Sequence, residues 1–476
     1  MSDGLQAIRT GLAGASAWLV GGAIRDRELG RSTADLDVVV EGDPARAAAA
    51  VARAAGRAAC FALSEEFGAW RVAARDSSWQ VDVEPLRGGS LEADLALRDF
   101  TVNAIAEPIA GGAPIDPLGG LADLRARRLR MVAPSAFAED PLRVLRLARV
   151  AVELELEPEA ETLRCAAAHA AGLHRCSPER VFMELRRIIA APRAPRGLAL
   201  MSELGATAVV LPELEALRGV EQNRFHHSDV YGHTIEVLEW TVALTSATTS
   251  DPLNPDSVLG PHRAELAALL AEPLADEMTR GDALRWGALM HDAAKPLTRE
   301  VRADGRVTFI GHDERGAKLA REVLSRLRSS ERLRAHVAAL VRWHLRLGFL
   351  VHEPQPLARR TVFGYLSTCS PVEVDVTLLS IGDRLATRGD RAQESIDAHL
   401  AVAGGLLTDA LRWRADGPPV PLLRGDELAE ALGIRTGPRV GELLAELSEA
   451  RYAGEVSTRE QALAFARARP REGGSE

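Results

Sequence analysis

The sequence predicts an α+β protein: a small mixed sheet with helices at the N-terminus, followed by an all-helical remainder. Three observations carry this. Short apolar runs bounded by turn residues, such as Leu19-Val20 before Gly21-Gly22 and Leu36 to Val40 after Asp35, recur as far as Val83; runs of that length read as strands. Beyond position 135 the chain is rich in Ala, Leu, Glu and Arg, all good helix formers. Aromatic residues make up 4% against 46% hydrophobic in total, so the cores must rest on Leu, Val and Ala.

The stretch Leu19 to Val40 holds the densest chemistry. Gly21-Gly22 lets a phosphate approach the backbone, and the helix that follows, with Arg25 and Asp26, opens with free N–H groups. After Gly30 and Arg31 the chain turns into a second strand that begins with Asp35 and Asp37. Residues two apart on a strand share a face. Two carboxylates so placed repel unless a cation lies between them, and hard oxygen ligands favour Mg²⁺, which also binds nucleotide phosphates. The set points to phosphoryl transfer through bound metal. The plainer alternative is a βαβ-like unit with a surface Asp pair.

Ala45 to Ala59 predicts an Ala-rich helix; Phe61–Leu63, Trp70–Ala74 and Gln80–Val83 predict strands. A short helix over Leu91–Ala96 leads into Arg98 to Ala104, and Asp116-Pro117-Leu118-Gly119-Gly120 is a turn that closes this region. Asp140 followed by Pro141 predicts a helix start. Arg143, Arg146 and Arg149 recur every third residue, which predicts one broad face, either a solvated stripe or a set of ligand donors. Ser177-Pro178 caps a helix that ends at Pro192. Arg186, Arg187, Arg193 and Arg196 cluster at its end, as contacts to an anionic backbone or as plain surface residues. Helices continue through Leu198–Leu214.

Past position 224 the chemistry changes. His233, His291-Asp292, His312, His344 and Asp383 each lie on or beside a helix with an apolar face. Any one could be a satisfied core residue, but the series is more specific. Lys295 and Lys318 are the only lysines, so a point-charge phosphate contact from Lys295 is one reading. Leu244 to Glu277, with its Thr, Ser, Pro and Asp clusters, predicts a loop excursion. Leu422 to Ala466 predicts helices broken at Gly433 and Gly437-Pro438, either a helical hairpin or a phosphate-binding helix start.

Gly21-Gly22, Arg25-Asp26, Leu29-Gly30 and the Asp-Leu-Asp strand together resemble the signature of polymerase-β-like nucleotidyltransferases, and more narrowly the bacterial tRNA CCA-adding and poly(A) polymerase family. Arg98 to Ala104 is similar to that family's R-R-D-F-T-x-N-A segment, with Leu97 where its first Arg stands. Glu139 to Arg143 resembles its E-D-x-x-R segment, and the His and Asp series resembles the HD phosphohydrolase superfamily. The resemblance covers nearly the whole chain and divides it into a polymerase-β-like nucleotidyltransferase head (1–135), a helical neck (136–224), an HD domain (225–405) and a helical tail (406–476).

The resemblance implies a template-independent enzyme that builds the CCA end of tRNA from CTP and ATP. It implies that Asp35 and Asp37 hold Mg²⁺, and that Gly21, Gly22, Arg25, Arg98, Arg146 and Arg149 serve nucleotide binding, with Asn103 on the sugar. Asp140 and Arg143 would select the base. An Arg donates to a ring acceptor and a carboxylate accepts from an exocyclic amine, a pattern shared by C and A and reversed in U and G. The turn at Asp116–Gly120 would be a springy link to the neck. In the HD region, His233, His291, Asp292, His312, His344 and Asp383 suffice for two ions of a divalent transition metal such as Mn²⁺, Fe²⁺, Ni²⁺ or Co²⁺.

One departure bears on specificity. Full CCA-adding relatives carry a longer flexible loop before the R-D-F-T segment, whereas here only residues 84–97 are present, with Glu84 to Ser90 as the expected mobile part. So short a link predicts C addition with little or no A addition, a separate A-adding enzyme completing the end. Poly(A) polymerase activity, or an HD phosphohydrolase with a non-catalytic head, are the other readings.

Composition narrows the setting. A net charge of −9 gives no global basic field, so tRNA would need local Arg patches. Cys60, Cys165, Cys176 and Cys369 lack zinc-like spacing and fit reduced thiols of a cytoplasmic protein. Neither a signal pattern nor a membrane-spanning apolar run is expected.

Overall fold

The computed structural model describes residues 3–64, 68–222, 227–246, 258–389 and 392–469. They form two compact units, 1–210 and 211–476.

The first unit opens with α1 (Asp3–Gly11) and carries a six-stranded sheet: β1 (Ala17–Val20), β2 (Asp35–Val40), β3 (Ala59–Ser64), β4 (Ala69–Ala73), β5 (Gln80–Pro85) and β6 (Ala106–Pro108), in the order β3-β4-β5-β2-β1-β6. The β2–β5 pair is parallel and the others antiparallel. Connections carry α2 (Gly22–Glu28), α3 (Pro44–Ala54) and α4 (Leu91–Ala96); α5 (Gly120–Arg125) follows β6. Asp43 starts α3, its Oδ1 accepting from Ala45 N at 2.9 Å, with Pro44 in the first turn.

The two faces of β2 decide where chemistry can occur. Leu36, Val38 and Val40 are buried. On the other face Val39 is buried in a cluster with Leu91 and Leu95 of α4 and with Ala104 and Ala106. Asp37 is half-buried and Asp35 exposed. The strand thus runs its carboxylates out from under α4 to an open rim.

Helices α6 (Ala136–Glu139), α7 (Arg143–Leu154), α8 (Ala160–His169), α9 (Pro178–Ala190), α10 (Ala194–Glu203) and α11 (Ala206–Val210) complete this unit. The buried side of α7, including Val144, Leu147 and Val150, packs on α9 and α10. Ser177 caps α9 through Arg180 N, with Pro178 in the first turn.

Several expectations need correction here. The Ala-rich helix stops at Ala54, not Ala59: Gly56 and Arg57 turn at φ 71° and 70°, and Ala59 pairs with Ala73 in the sheet. Strand pairing overrides alanine's helix preference. Helix α7 starts at Arg143, because Asp140 is extended at the end of α6 and spends Oδ1 on Leu142 N at 3.2 Å. The link expected to be mobile is tied down. Leu86 N donates to Val40 O at 3.0 Å, and both Arg87 N and Nε donate to the fully buried Asp94 at 3.2 Å. In the closing turn Asp116 accepts from Gly120 N at 2.7 Å and Leu121 N at 2.9 Å. Gly120 is required there: a Cβ would stand 2.1 Å from Thr101 O.

The second unit is helical: α12 (Pro212–Glu215), α13 (Val230–Thr245), α14 (Arg263–Leu270), α15 (Arg280–Met290), α16 (Lys295–Thr298), α17 (His312–Arg326), α18 (Glu331–Trp343), α19 (Arg346–Leu350), α20 (Arg359–Cys369), α21 (Glu373–Ala386), α22 (Ala392–Asp416), α23 (Gly425–Leu432), α24 (Pro438–Tyr452) and α25 (Arg459–Arg467). Helices α13, α15, α18 and α21 pack together, with Trp286 fully buried. A buried ion pair ties α15 to α21, Arg280 Nε lying 2.9 Å from both Asp375 oxygens. The expected excursion over Leu244–Glu277 instead contains the end of α13, α14 and a strand at Pro273–Ala275 paired with Met278–Thr279. Its positions 247–257, like the 224/225 boundary, lie outside the described residues. Helix α22 runs unbroken through position 405. The tail follows the expected breaks: Gly433 ends α23 at φ 63°, and Pro438 opens α24. Among the described residues no helix is long and apolar enough to cross a membrane, and the cysteines are free thiols.

Candidate functional site

In the first unit, β1 delivers the chain to Gly21, whose N–H donates to Ile105 O at 3.0 Å. Gly21 has φ 71°, and a Cβ there would meet Arg98 Nη1 at 3.1 Å and Asp37 Oδ2 at 3.8 Å. The glycine is therefore needed both for its backbone and for the space it leaves between Arg98 and Asp37. Register places Asp37 beside Val20 on one side and beside Asp82 of β5 on the other. Asp82 and Glu84 share the face of Asp35 and Asp37, so four carboxylates occupy one surface. Asp82 is neutralised by a two-pronged bond from Arg71, Nε and Nη2 each at 2.7 Å. Burial, with Asp82, Glu84 and Asp35 adding to it against the pull of Arg98, pushes Asp37 from 3.8 up to about 6. A carboxyl held that high beside further carboxylates is suited to a divalent cation, which would restore its ionised form.

Arg98 is half-buried; its Nη2 lies 3.2 Å from Asp94, while its Nε is buried without an acceptor among the described residues. Arg25 Nε donates to Asp26 at 2.9 Å and Nη1 to Asn103 Oδ1 at 2.5 Å. Asn103 Nδ2 donates in turn to Asp99 Oδ1 at 2.9 Å, and Arg146 Nε stands 3.0 Å from Asp99 Oδ2. Burial alone would raise Asp99. The charge of Arg146 and the bonds from Asn103 and Phe100 N–H overcome it and hold the carboxyl below its usual range. Arg25, Asn103, Asp99 and Arg146 are thus one connected chain running from α2 to α7.

The remaining α7 residues part company. Arg143 donates to Leu97 O at 2.7 Å and Ala136 O at 3.1 Å. Asp140 meets not Arg143 but Arg180, at 2.6 Å. Arg149 is buried, with Glu184 at 2.6 Å and Glu153 at 3.2 Å. The single broad face expected for the three arginines does not hold: each three-residue step turns about 60° backwards, so Arg149 sits about 120° from Arg143.

In the second unit six side chains converge. His233 comes from α13, His291 and Asp292 from the end of α15, His312 from the start of α17, His344 from the end of α18 and Asp383 from α21. They form two groups of three able to hold a metal ion, His233–His291–Asp383 and Asp292–His312–His344. Nδ1 of His291, His312 and His344 each lies 2.7 Å from a backbone carbonyl, of Ala288, Phe309 and Val341. A carbonyl only accepts, so these nitrogens carry hydrogen and each ring turns its Nε2 inward, where it is a lone pair for a metal or, with a proton in the metal's place, a donor to a carboxylate. Nε2 of His312 and His344 face each other at 3.3 Å. At that distance the two nitrogens need a proton or a cation between them, and the three ligand atoms of each group, all within 4.8 Å of one another, fit a metal.

The carboxylates agree. Burial would raise Asp292, but His291 and Lys295, with bonds from His291 and His312, hold it well below its usual range. Asp383 is likewise held down against burial by His233 and His291. Burial, with His291 and His312 nearby, lowers His344 to about 4. Lys295 is not held out for a phosphate: Nζ lies 2.6 Å from Asp292 and 2.7 Å from Gln222.

Sequence reasoning passed over Asp82, Asp94, Asp99, Arg180 and Gln222. The alternation in Gln-Val-Asp-Val-Glu would have placed Asp82 and Glu84 on one face. Only the parallel pairing of β2 with β5 puts that face beside Asp37.

Comparison with known proteins agrees with this arrangement. Residues 17–130 match the poly A polymerase head domain, 155–217 the "Probable RNA and SrmB- binding site of polymerase A", and 262–365 the HD domain. An A-adding tRNA nucleotidyltransferase of Deinococcus radiodurans is 38% identical, covering 94% of each chain. A CC-adding tRNA nucleotidyltransferase of Thermus thermophilus is 34% identical over 94% of this chain and 92% of its own. The Thermotoga maritima CCA-adding enzyme complexed with tRNA shares the fold at TM-score 0.60 and 19% identity, over 98% and 93% of the two chains. The chain belongs to the tRNA nucleotidyltransferase family, with a poly(A) polymerase-type head and an HD domain.

Proposed function

We propose that this protein extends the 3′ end of tRNA without a nucleic-acid template, adding C from CTP and stopping before A. The observation that carries the reaction is the carboxylate face of β2, open at the rim where Gly21 and Arg98 stand beside Asp37. Asp35 and Asp37 would hold Mg²⁺, which supplies activation of the tRNA 3′ hydroxyl and charge for the departing pyrophosphate. Gly21 and Gly22 leave room for the triphosphate. Arg25, Arg98 and Arg146 supply its cations, and the Arg25–Asn103–Asp99–Arg146 chain keeps them in register. Asn103 would orient the sugar. Asp140 and Arg143 would turn from Arg180 and Leu97 O to the edge of the base. Arg149, enclosed by Glu184 and Glu153, positions α7 and does not touch nucleotide.

The restriction to C rests on the pinned link. Switching a pocket from a pyrimidine to a larger purine needs a segment with free length and hinges, and Leu86 and Arg87 of this link are fastened to Val40 and Asp94. A separate A-adding enzyme would then complete the end. A second reading, A addition alone, is favoured by the 38% identity to the Deinococcus relative; a pinned pocket suits either single nucleotide. The HD cluster would hold a divalent transition metal and act on phosphate esters. Each labelled nucleotide, offered singly with Mg²⁺ to cytoplasmic tRNA lacking CCA and to tRNA ending in CC, tests the proposal. C on the first substrate only supports it. A on the second substrate alone gives the second reading. Repeated A on any RNA end makes it a poly(A) polymerase, and no incorporation leaves the HD site as the functional one.

A further inference from the structure

A cavity of about 380 Å³ opens in the second unit between the start of α15, the first turns of α18 and the residues just ahead of α21. Leu274, Pro371 and Val372 give it an apolar wall, and Arg280, Arg332 and Arg414 line it from three helices. It is separate from the histidine cluster: Arg280 opens α15 and His291 follows its last residue, so about 16 Å of helix lies between them. The arginines differ in how much of their donor capacity is spent. Arg280 is buried, its Nε 2.9 Å from both Asp375 oxygens and its Nη2 donating to Pro371 O at 2.9 Å. Nη1 has no acceptor among the described residues and is not sealed from solvent, so it is the nitrogen that reaches the cavity. Asp375 is fully buried, with His336 Nε2 3.6 Å away on its other side. A buried ion pair often stabilises a fold no better than apolar packing would. Here it holds a guanidinium still, with one donor left over for an open cavity. At the mouth, Arg414 is paired with Glu272 at 2.5 Å, whereas Arg332 is exposed and has no carboxylate partner among the described residues.

We infer that this cavity binds a small organic monoanion, its apolar body against Leu274, Pro371 and Val372, an acceptor atom on Arg280 Nη1 and its anionic group on Arg332. Charge sets the class. Asp375 offsets Arg280 and Glu272 offsets Arg414, so one positive charge, that of Arg332, is left for a ligand. Burial raises the carboxyl of Glu373, the acid that follows Val372, above its ordinary range. A polyphosphate would bring more negative charge than the site offsets. Size agrees: small-molecule sites span roughly 300–1,000 Å³, and a bare inorganic anion would leave the apolar wall uncovered. The free guanidinium of Arg332 matches the planar oxygen pair of a carboxylate.

The test titrates the full chain by calorimetry with 6-hydroxy-2-naphthoate and with its neutral amide, first in EDTA and then with Mn²⁺. The naphthoate should bind equally in both, and the amide at least about tenfold more weakly, the size of one charge-assisted bond. Arg332→Gln changes an exposed side chain, whereas removal of Arg280 would strand the buried charge of Asp375. Arg332→Gln should therefore keep the wild-type melting temperature and lose about tenfold in naphthoate affinity, and Arg332→Lys should recover part of the loss. Equal affinity for acid and amide overturns the monoanion class. Naphthoate binding by Arg332→Gln equal to wild type overturns the site. Binding that requires Mn²⁺ places the carboxylate at the histidine cluster and overturns it too, as does a wild type that binds no naphthoate.

Discussion

Asp37→Asn is expected to make the protein inactive and its head more stable. Asp37 is pushed from 3.8 to about 6, chiefly by burial, with Asp82, Glu84 and Asp35 adding to it against Arg98. A raised carboxyl binds its proton more tightly in the folded state, so its contribution is most favourable below about 4 and is lost as pH rises through about 6. Two pK units at 1.36 kcal/mol each amount to about 3 kcal/mol at pH 8, and about 1 kcal/mol near pH 4.5. Asn keeps the shape and removes the charge. In EDTA, amide hydrogen exchange of peptides spanning β2 in the full chain should show protection in Asp37→Asn up to about a hundredfold above wild type at pH 8. The gap should close to within about tenfold at pH 4.5. Mg²⁺ should raise wild-type protection and leave the variant unmoved. Lower protection in the variant than in wild type at pH 8, in EDTA, would refute the reasoning, because the ionised carboxyl would then be stabilising.

Three further outcomes follow from the same geometry. Asp35→Ala should lower nucleotide addition on the order of 10³-fold or more while tRNA binding by gel shift persists; near wild-type turnover would remove Asp35 from the site. His291→Ala should abolish phosphatase activity supported by a transition metal and leave nucleotide addition largely intact; loss of addition in a folded variant would show the two sites to be coupled. Asp140→Ala should weaken C addition and narrow the margin over U and G, since a polar site rejects the wrong base by leaving its own groups unpaired. An unchanged preference in single-nucleotide assays would place base reading elsewhere.

What was legible in the sequence follows from what local spacing determines. The two-residue period of a strand puts Asp35 and Asp37 on one face wherever the strand goes. It cannot say which strand lies alongside, so Asp82 stayed hidden until β5 was seen to join β2 across two intervening strands. The three-residue spacing of Arg143, Arg146 and Arg149 misleads because it is not the helix period, and the drift carries Arg149 onto Glu184. The histidines of the second unit could be named in advance, each at a helix end or on an apolar face. Their division into two groups of three depends on five helices meeting. The short link before Arg98 could be counted but not seen to be fastened, because Asp94, which holds it, reads in sequence as an ordinary first-turn acid.

The central claim is that a metal-dependent head extends tRNA and is confined by a fixed pocket to C. A product ladder from tRNA ending before CCA, with CTP, ATP and Mg²⁺ all present, tests it most directly. The account predicts bands at one and two added nucleotides that persist, with the third appearing only when an A-adding enzyme is supplied. Prompt accumulation of full CCA ends by this protein alone would contradict the confinement to C. No extension of any tRNA end would contradict the whole account.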